Sequence, residues 1–260
     1  MTLLSVDNLS ISFGGIKAVD GISFEVQAGE VFTIVGPNGA GKSTIFNLIS
    51  RFYQPSSGTI SFDGEDITGM RPDQISPLGI ARTFQNIELF EHSSVLHNLL
   101  VGRHPRRKTN LLQDVLFTPA ARRAEKEHRE RAEAVIDFLD LQPYRDKLIA
   151  GLPYGVRKVV EIARGLTSGP RLLLLDEPAS GLSVEETQDV AFWIEDMQKE
   201  MGLTILMVEH DMSLVSEVSD RVLAIADGRA LAMGSAKEVQ RDPGVIAAYL
   251  GVESVAEGAV

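Results

Sequence analysis

One short segment of the chain combines the groups that bind nucleotide phosphates. Residues 36–43 match the pattern G-x-x-x-x-G-K-[ST] at every fixed position. The glycines of such a loop let main-chain N–H groups curl around phosphate oxygens. Lys42 can reach the β- and γ-phosphates, Thr44 the α-phosphate, and the Ser43 hydroxyl can bind Mg²⁺. The predicted nucleotide-binding residues of the loop are Gly36, Pro37, Asn38, Gly39, Ala40, Gly41, Lys42, Ser43 and Thr44.

Two acidic residues end a strongly apolar segment in the second half of the chain. Four leucines at positions 172–175 precede Asp176 and Glu177. A buried strand there would bring Asp176 to the nucleotide, where its carboxylate can orient Mg²⁺ directly or through water. Glu177 can then polarise the attacking water or act as its general base. We therefore predict that Asp176 binds nucleotide and metal and that Glu177 is catalytic.

Three further side chains complete the predicted site, although each is a weak signal alone. Gln85 follows a predicted strand, and its amide can contact Mg²⁺ or the attacking water, so it is predicted as a catalytic residue and metal ligand. His210 follows another strand and can donate to the γ-phosphate, as a third catalytic residue. Phe13 can stack on the nucleobase, with a place in the core as the competing interpretation. The chain lacks the Asn-Lys-x-Asp element of GTPases, which favours ATP and leaves GTP open.

Hydrophobic periodicity predicts the elements that position these side chains. Alternation or short apolar runs predict strands at residues 3–13, 19–27, 31–35, 59–63, 80–84, 172–175 and 203–208. Residues 42–52 and 184–201 predict helices, and Asp227–Gly228 between apolar runs predicts a hairpin. The stretch from about residue 88 to residue 166 is helical in pattern and charged. These elements predict an α/β ATPase core with a small antiparallel β arm and a helical insertion.

The bulk composition excludes several other classes of protein. The chain has 260 residues, of which 44% are hydrophobic, enough for one α/β domain with a substantial core. The absence of cysteine excludes disulfides and thiolate metal sites. The net charge of −11 argues against nucleic acid as a partner. Because the sequence has no secretory signal and no apolar run of the ~20 residues that a spanning helix needs, we expect any membrane role to come through a partner.

Taken in this order, the motifs resemble those of the ABC (ATP-binding cassette) ATPases over essentially the whole chain. The matching segments are the Walker A motif at residues 36–43, the Q-loop at Gln85, the signature at 152–156, the Walker B motif ending at Asp176–Glu177, the D-loop at 180–183 and the switch histidine at His210. The resemblance implies a P-loop NTPase (RecA-like) fold, with ATP and Mg²⁺ as cofactors. It implies one domain over residues 1–260, with the core and β arm at 1–88 and 168–260 and the helical subdomain at 89–167.

Within that family the chain is most similar to the ATPases of branched-chain amino acid importers. The similarity rests on residues 81–86, 161–164, 208–212 and 245–251 and on the long charged insert. Because this group also handles urea, short amides and aromatic acids, it specifies the substrate only loosely. The resemblance implies a peripheral position on the cytoplasmic face of the cell membrane. The implied partners are a second ATPase subunit, identical or different, transmembrane permeases and, indirectly, a substrate-binding protein.

The signature segment departs from the usual Leu-Ser-Gly-Gly-Gln of the family. Each ATP is expected between the P-loop of one subunit and the signature of the other, so Gly155 is predicted to bind nucleotide in trans. Pro153 stands where the family has Ser, which removes a hydroxyl and an N–H donor, and Val156 stands where it has Gln. Ser183 replaces the usual Asp of the D-loop. We therefore expect the site that this signature completes to be the weaker of two.

Other functions stay open at this point. The ATPase of a separate-chain ABC exporter shares all of this chemistry, and only the subgroup resemblance favours import. A non-transport ABC ATPase or an unrelated P-loop enzyme fits less well, because the chain has one cassette and adjacent acids at positions 176 and 177. The basic stretch at residues 103–108 suggests contact with anionic lipid headgroups near a membrane-docked surface.

Overall fold

The chain folds as two units with separate sets of internal contacts. A computed structural model describes residues 1–83, 88–103 and 118–249. Unit 1 comprises Met1–Ile75 and Leu174–Val260, and unit 2 comprises Ser76–Leu173. The division of the chain at residues 89 and 167 that the sequence suggested stays a prediction.

An antiparallel sheet forms the first part of unit 1. Its strands are β1 (Thr2–Phe13), β2 (Ile16–Gln27), β4 (Ser57–Phe62) and β5 (Glu65–Asp66), in the spatial order β2-β1-β4-β5. β1 pairs with both β2 and β4 in antiparallel register. Apolar residues of β1 and β2 point into the core at nearly every second position, so the predicted alternation is confirmed.

A second sheet carries the predicted chemical groups of unit 1. β3 (Val31–Val35) lies between β8 (Thr204–Val208) and β9 (Arg221–Ala226) and runs parallel to both. β7 (Leu172–Asp176), which begins in unit 2 and ends in unit 1, is the neighbour of β8. All five residues of β3, β7 and β8 are buried, as short apolar runs predict. Because neighbouring parallel strands end at the same edge, the residues after β3, β7 and β8 meet there.

The predicted hairpin at Asp227–Gly228 is confirmed. β9 pairs in antiparallel register with β10 (Arg229–Gly234), the edge strand of the second sheet. Asp227 and Gly228 have φ angles of 47° and 74°, the left-handed region that a tight hairpin turn requires.

The helices of unit 1 follow the strands that position them. They are α1 (Lys42–Ile49), α6 (Val184–Lys199), α7 (Met212–Val218), α8 (Ala236–Arg241) and a last helical stretch at residues 243–249. The sequence placed the end of α1 at residue 52, which is wrong. The helix ends at Ile49 because Arg51 takes a left-handed φ of 63°, with its side chain buried and donating to the carbonyls of Met70 and Tyr53.

Unit 2 is mainly helical, as its charged pattern predicts. α2 (Pro72–Leu78) crosses from unit 1 and leads to β6 (Ile80–Arg82). Three helices then pack against one another: α3 (Val95–Gly102), α4 (Pro119–Phe138) and α5 (Tyr154–Thr167). Two 3-10 turns lie at Gln142–Tyr144 and Ile149–Gly151. α2 was not predicted from the sequence; it begins at Pro72, where a missing N–H is tolerated, and includes Pro77. No helix in the described ranges is both long and apolar enough to cross a membrane.

Candidate nucleotide site

The loop at residues 36–41 leaves the end of β3 and leads directly into α1. Glycine is required at two of its positions because other main chain lies very close. A Cβ atom on Gly36 would come within 2.2 Å of the carbonyl oxygen of Ile225, and one on Gly41 within 2.4 Å of that of Ala18. Gly41 is also the N-cap of α1 and has a φ of 102°. The positive end of α1 is therefore placed where an anion can bind.

The β9–β10 hairpin holds this loop from one side. The N–H of Gly228 donates to the carbonyl of Ala40 (3.1 Å), and the N–H of Asp20 donates to the carbonyl of Gly228 (2.8 Å). Arg229 pairs with the Asp20 carboxylate at 2.7 Å. Hydrogen bonds from Lys17 and Arg229 hold the pKa of Asp20 below its usual value. The hairpin, the loop and β2 are thus tied into one hydrogen-bonded group.

Lys42 is buried, and its ammonium group lies inside the loop. Its Nζ atom donates to the carbonyl oxygens of Gly36 (2.7 Å) and Pro37 (3.0 Å). Burial lowers the pKa of Lys42, while the charges of Glu177, Asp176 and Glu209 act in the opposite direction. The positive charge therefore lies on two main-chain carbonyls at the edge where phosphates would lie.

Asp176 and Glu177 stand at the end of β7 in two different environments. Asp176 is the last residue of the strand and is 2% exposed. Glu177 takes a left-handed φ of 51°, which few non-glycine residues adopt, and its N–H donates to the carbonyl of Val208 (2.9 Å). This turn ends the strand and leaves the Glu177 side chain 13% exposed. One carboxylate is thus buried beside Lys42, and the next reaches the surface of the site.

His210 follows β8 and lies near the Glu177 carboxylate. Its Nδ1 atom is 4.0 Å from Glu177 Oε1 and 3.6 Å from Glu209 Oε2. The His210 side chain is 55% exposed, whereas the Glu209 side chain is 1% exposed. The exposed imidazole can therefore contact a bound molecule, while the buried Glu209 carboxylate holds the main-chain N–H of His210.

Phe13 lies at the tip of the β1–β2 hairpin and is 44% exposed. Its ring meets the ring of Tyr53 edge to face, with centroids 5.1 Å apart and an interplanar angle of 66°. Tyr53 follows α1 by a few residues and is 39% exposed. Such an edge-to-face pair leaves part of the Phe13 ring open to a third flat group.

Comparison with known proteins identifies the family of this chain. The ABC transporter family matches residues 19–180, and the C-terminal family described as branched-chain amino acid ATP-binding cassette transporter matches residues 231–255. The branched-chain amino acid transport ATP-binding protein BraF of Pseudomonas aeruginosa is 41% identical over 249 residues, which are 96% of this chain and 98% of BraF. The corresponding LivG protein of Escherichia coli is 40% identical over the same shares of both chains.

This chain belongs to the ABC transporter family. It is an ATP-binding cassette of the P-loop NTPase fold, an ATPase whose hydrolysis is coupled to transport. Two solved cassettes of an ABC transporter, one without nucleotide and one in its ADP conformation, are each 32% identical to it. Their TM-scores are 0.84 and 0.85, and both comparisons cover 96% of this chain and 99% of the other.

In this cassette Lys42, Asp176, Glu177 and His210 lie at or just after the ends of β3, β7 and β8, and Phe13 lies at the tip of the β1–β2 hairpin. Gln85 lies outside the described residues, as does most of the basic stretch at residues 103–108. Gly155 is a buried residue in the first turn of α5, in unit 2. Pro153 is the N-cap of α5 and makes no side-chain capping bond, because its side chain has no oxygen that could accept one.

Sequence reasoning missed three residues that shape the site of the cassette. Glu209 accepts main-chain hydrogen bonds from Ala179 and from His210 and Asp211. Tyr53 supports the Phe13 ring, and Gly228 holds the phosphate loop. A signal existed only for Glu209, because a glutamate at the end of a fully buried strand needs local partners.

Proposed function

We propose that this cassette is the ATP-hydrolysing subunit of an importer for branched-chain amino acids or for a related small amide or acid. One observation favours this class of transporter over others. Residues 231–255 match a C-terminal family described for branched-chain amino acid cassettes, and the relatives at 40–41% identity are named for the same transport. The chemistry of hydrolysis would be the same in an exporter, so the substrate rests on this likeness.

Nucleotide binding is assigned to the edge where β3, β7 and β8 end. The loop at residues 36–43 would receive the phosphates on its N–H groups and on the positive end of α1. Lys42, whose Nζ lies on the Gly36 and Pro37 carbonyls, would turn its charge toward the β- and γ-phosphates. Phe13 would stack on the adenine, with Tyr53 limiting the tilt of its ring.

The donor set suits Mg²⁺ as the accompanying ion. Magnesium prefers hard oxygen ligands and is often bound by one or two carboxylates together with substrate phosphates. The exposed Ser43 hydroxyl and the buried Asp176 carboxylate supply such oxygens, and Gln85 is the predicted third ligand. Bound there, the ion would neutralise charge that develops on the β- and γ-phosphates.

Glu177 and His210 are assigned to the hydrolytic step. Glu177 would hold the attacking water and accept its proton, since its carboxylate reaches the surface of the site at the end of β7. His210 would donate a hydrogen bond to the γ-phosphate from its exposed ring. Their separation of 4.0 Å allows both to touch the same γ-phosphate and water.

The remaining assignments concern other subunits. Gly155 would contribute its N–H to the ATP held by a second cassette, identical or different. Permease subunits would hold the pair at the cytoplasmic face of the membrane, and a substrate-binding protein would deliver the substrate to them.

Purification from the native host tests this proposal. The tagged chain is solubilised from membranes and its companions are identified by mass spectrometry. We expect two multi-spanning permeases, an ATPase subunit and a substrate-binding protein. The complex is then placed in liposomes, and uptake of radiolabelled leucine, isoleucine and valine is measured with ATP present.

A Glu177→Gln complex is the matched control, because it should assemble and bind ATP without driving uptake. Saturable uptake by the unmodified complex alone supports the proposal. If the companions are not membrane proteins, the transport assignment fails. If permeases co-purify but labelled substrate moves away from the side of the membrane that carries the ATPase, the chain serves an exporter.

A further inference from the structure

Glu209 is a buried carboxylate that the assignments above leave without a role. It directly follows β8 and precedes His210, and it is 1% exposed. A carboxylate that is buried to this degree is costly unless hydrogen bonds compensate it. At Glu209 the main chain supplies them from two separate segments.

The two oxygens of Glu209 accept from different loops of the site. The N–H of Ala179, two residues after Glu177, donates to Oε1 at 2.9 Å. The N–H groups of His210 and Asp211 donate to Oε2 at 2.8 and 3.1 Å. One carboxylate therefore bridges the segment that leaves Glu177 and the segment that carries His210.

Neighbouring contacts fix the main chain on each side of this bridge. The N–H of Ser180 donates to the carbonyl of Glu177 (3.1 Å), so the turn that holds Ala179 also includes Glu177. On the other side, Asp211 caps α7 by accepting from Ser213 and Leu214, which fixes the chain just after His210. A shift of either segment would thus be passed to the other through Glu209.

We propose that Glu209 is a positioning residue for ATP hydrolysis. It fixes Glu177 and His210 relative to each other by holding the main chain of both segments. The inference rests on the proposed roles of Glu177 and His210. It assigns no contact with nucleotide to Glu209. The variant should therefore alter the hydrolytic step and leave ATP affinity unchanged.

Glu209→Gln isolates this role because it keeps the size of the side chain. An amide has one oxygen and one NH₂ group, so whichever way it turns, a donor faces the N–H of Ala179 or those of His210 and Asp211. Hydrogen bonds to charged groups are among the stronger ones, and losing them here should lower kcat about ten- to a hundredfold. ATP affinity should stay within about twofold, as expected when only the transition state is affected.

The experiment uses the complex that co-purifies with the full chain. ATP affinity is measured with a fluorescent ATP analogue, ATPase rates are measured at saturating ATP, and thermal unfolding is recorded for each variant. Glu30→Gln is the matched control, since Glu30 is also buried and accepts from the main chain of Gln27 and from Arg221. It lies where β3 begins, so its substitution should lower stability without lowering kcat.

A double substitution separates positioning from mere support of the fold. If Glu209 acts in part through His210, the losses in Glu209→Gln/His210→Ala should be clearly smaller than the product of the single losses. Losses that multiply, or a kcat for Glu209→Gln within about threefold of the unmodified complex, would overturn the proposal. So would a fall in ATP affinity that parallels the fall in stability.

Two further outcomes are distinguishable. If His210→Ala keeps full activity, the catalytic assignment of His210 fails and the positioning role fails with it. If His210→Ala is inactive but Glu209→Gln is not, only the positioning role fails. Should Glu209→Gln not fold, Glu209→Asp decides by the same readouts, because it keeps the charge but is too short to bridge both segments.

Discussion

The Nδ1 atom of His210 lies 4.0 Å from the Oε1 atom of Glu177, although the two residues follow different strands. β7 and β8 are neighbours in the sheet, and the N–H of Glu177 donates to the carbonyl of Val208. Main-chain pairing between strands therefore fixes the distance between the two side chains. Catalytic side chains that are set by a sheet in this way need little rearrangement when substrate binds.

Replacing Glu177 by Gln should stop hydrolysis of the ATP held by this chain's own loop while that ATP remains bound. A positioned general base contributes about 10²- to 10⁴-fold, so the rate at that site should fall within that range. ATP affinity should change by less than about threefold, since the loop and Lys42 are unaltered. The control is Glu185→Gln on the exposed start of α6. Equal ATPase rates for the two variants would remove Glu177 from the hydrolytic step.

Replacing Phe13 by Ala should weaken binding of ATP but not of inorganic triphosphate. Stacking of a base on an aromatic ring contributes about 1–3 kcal/mol, so ATP affinity should fall about five- to a hundredfold in isothermal titration. Tyr53→Leu should have a smaller effect in the same direction, because it removes only the edge contact. Phe192→Ala, which removes a ring that is 63% exposed on α6, is the control. A large loss of stability with unchanged ATP affinity would mean that Phe13 serves the core.

Tyr249 should make the cassette less stable in alkaline solution. It packs on a cluster that includes Val35 and Val215, and its hydroxyl lies beside the main chain of Gly36. Burial raises the pKa of Tyr249 above its ordinary 10.0. Because the unfolded chain ionises first, this contribution to stability is complete below about pH 10 and is lost as pH rises through the folded value.

Urea unfolding at several pH values between 8 and 11 measures this effect. Tyr249→Phe should reduce the loss of stability above about pH 10, and Tyr144→Phe in unit 2 should not. Tyr249→Ala should also lower stability at pH 8, because it removes a partly buried ring from this cluster. An unchanged alkaline slope for Tyr249→Phe would contradict the burial of the hydroxyl.

Restoring the usual family residues in the signature should raise ATP turnover at one site only. Pro153→Ser/Val156→Gln gives α5 a side chain that can cap it and gives the trans nucleotide new donors. In a complex that carries Glu177→Gln, the residual ATPase comes from the site that this signature completes. We expect that residual rate to rise on the order of tenfold, as for regained bonds to a charged group. Pro143→Ser, at an exposed position, is the control, and no rise relative to it would contradict the predicted asymmetry.

The sequence predicts the site edge well because that edge depends on local patterns. The buried apolar runs form the strands themselves. The loop at residues 36–43 follows β3, and the acids at positions 176 and 177 stand at the end of β7, so the strands place both. Other features depend on distant partners and leave no local signal. Arg51 ends α1 at a left-handed φ without being glycine, because its side chain reaches Met70. For Glu209 the sequence signals only that a buried acid needs partners, and it does not indicate Ala179, which lies 30 positions away.

α2 is a helix for which the sequence patterns gave no prediction. Pro72 begins α2, where its missing N–H is of no consequence, and Pro77 lies near the end of the same helix. Both prolines therefore lie near the ends of the helix, where they interrupt few of its hydrogen bonds. Tyr53 was overlooked because an aromatic residue after a helix carries no periodic signal, and only its contact with Phe13 gives it a role.

The position of β3 between β8 and β9 has a consequence for how the protein is made. The phosphate loop is synthesised early, but the strands that flank β3 lie far downstream, and contacts such as Glu30 with Arg221 span 191 residues. At about 5–20 residues per second, a ribosome needs on the order of ten to forty seconds to supply them. During that time the loop has neither its flanking strands nor the hydrogen bond from Gly228. ATP therefore cannot assist the early part of folding, and a chain that is released before the hairpin is complete lacks a formed nucleotide site.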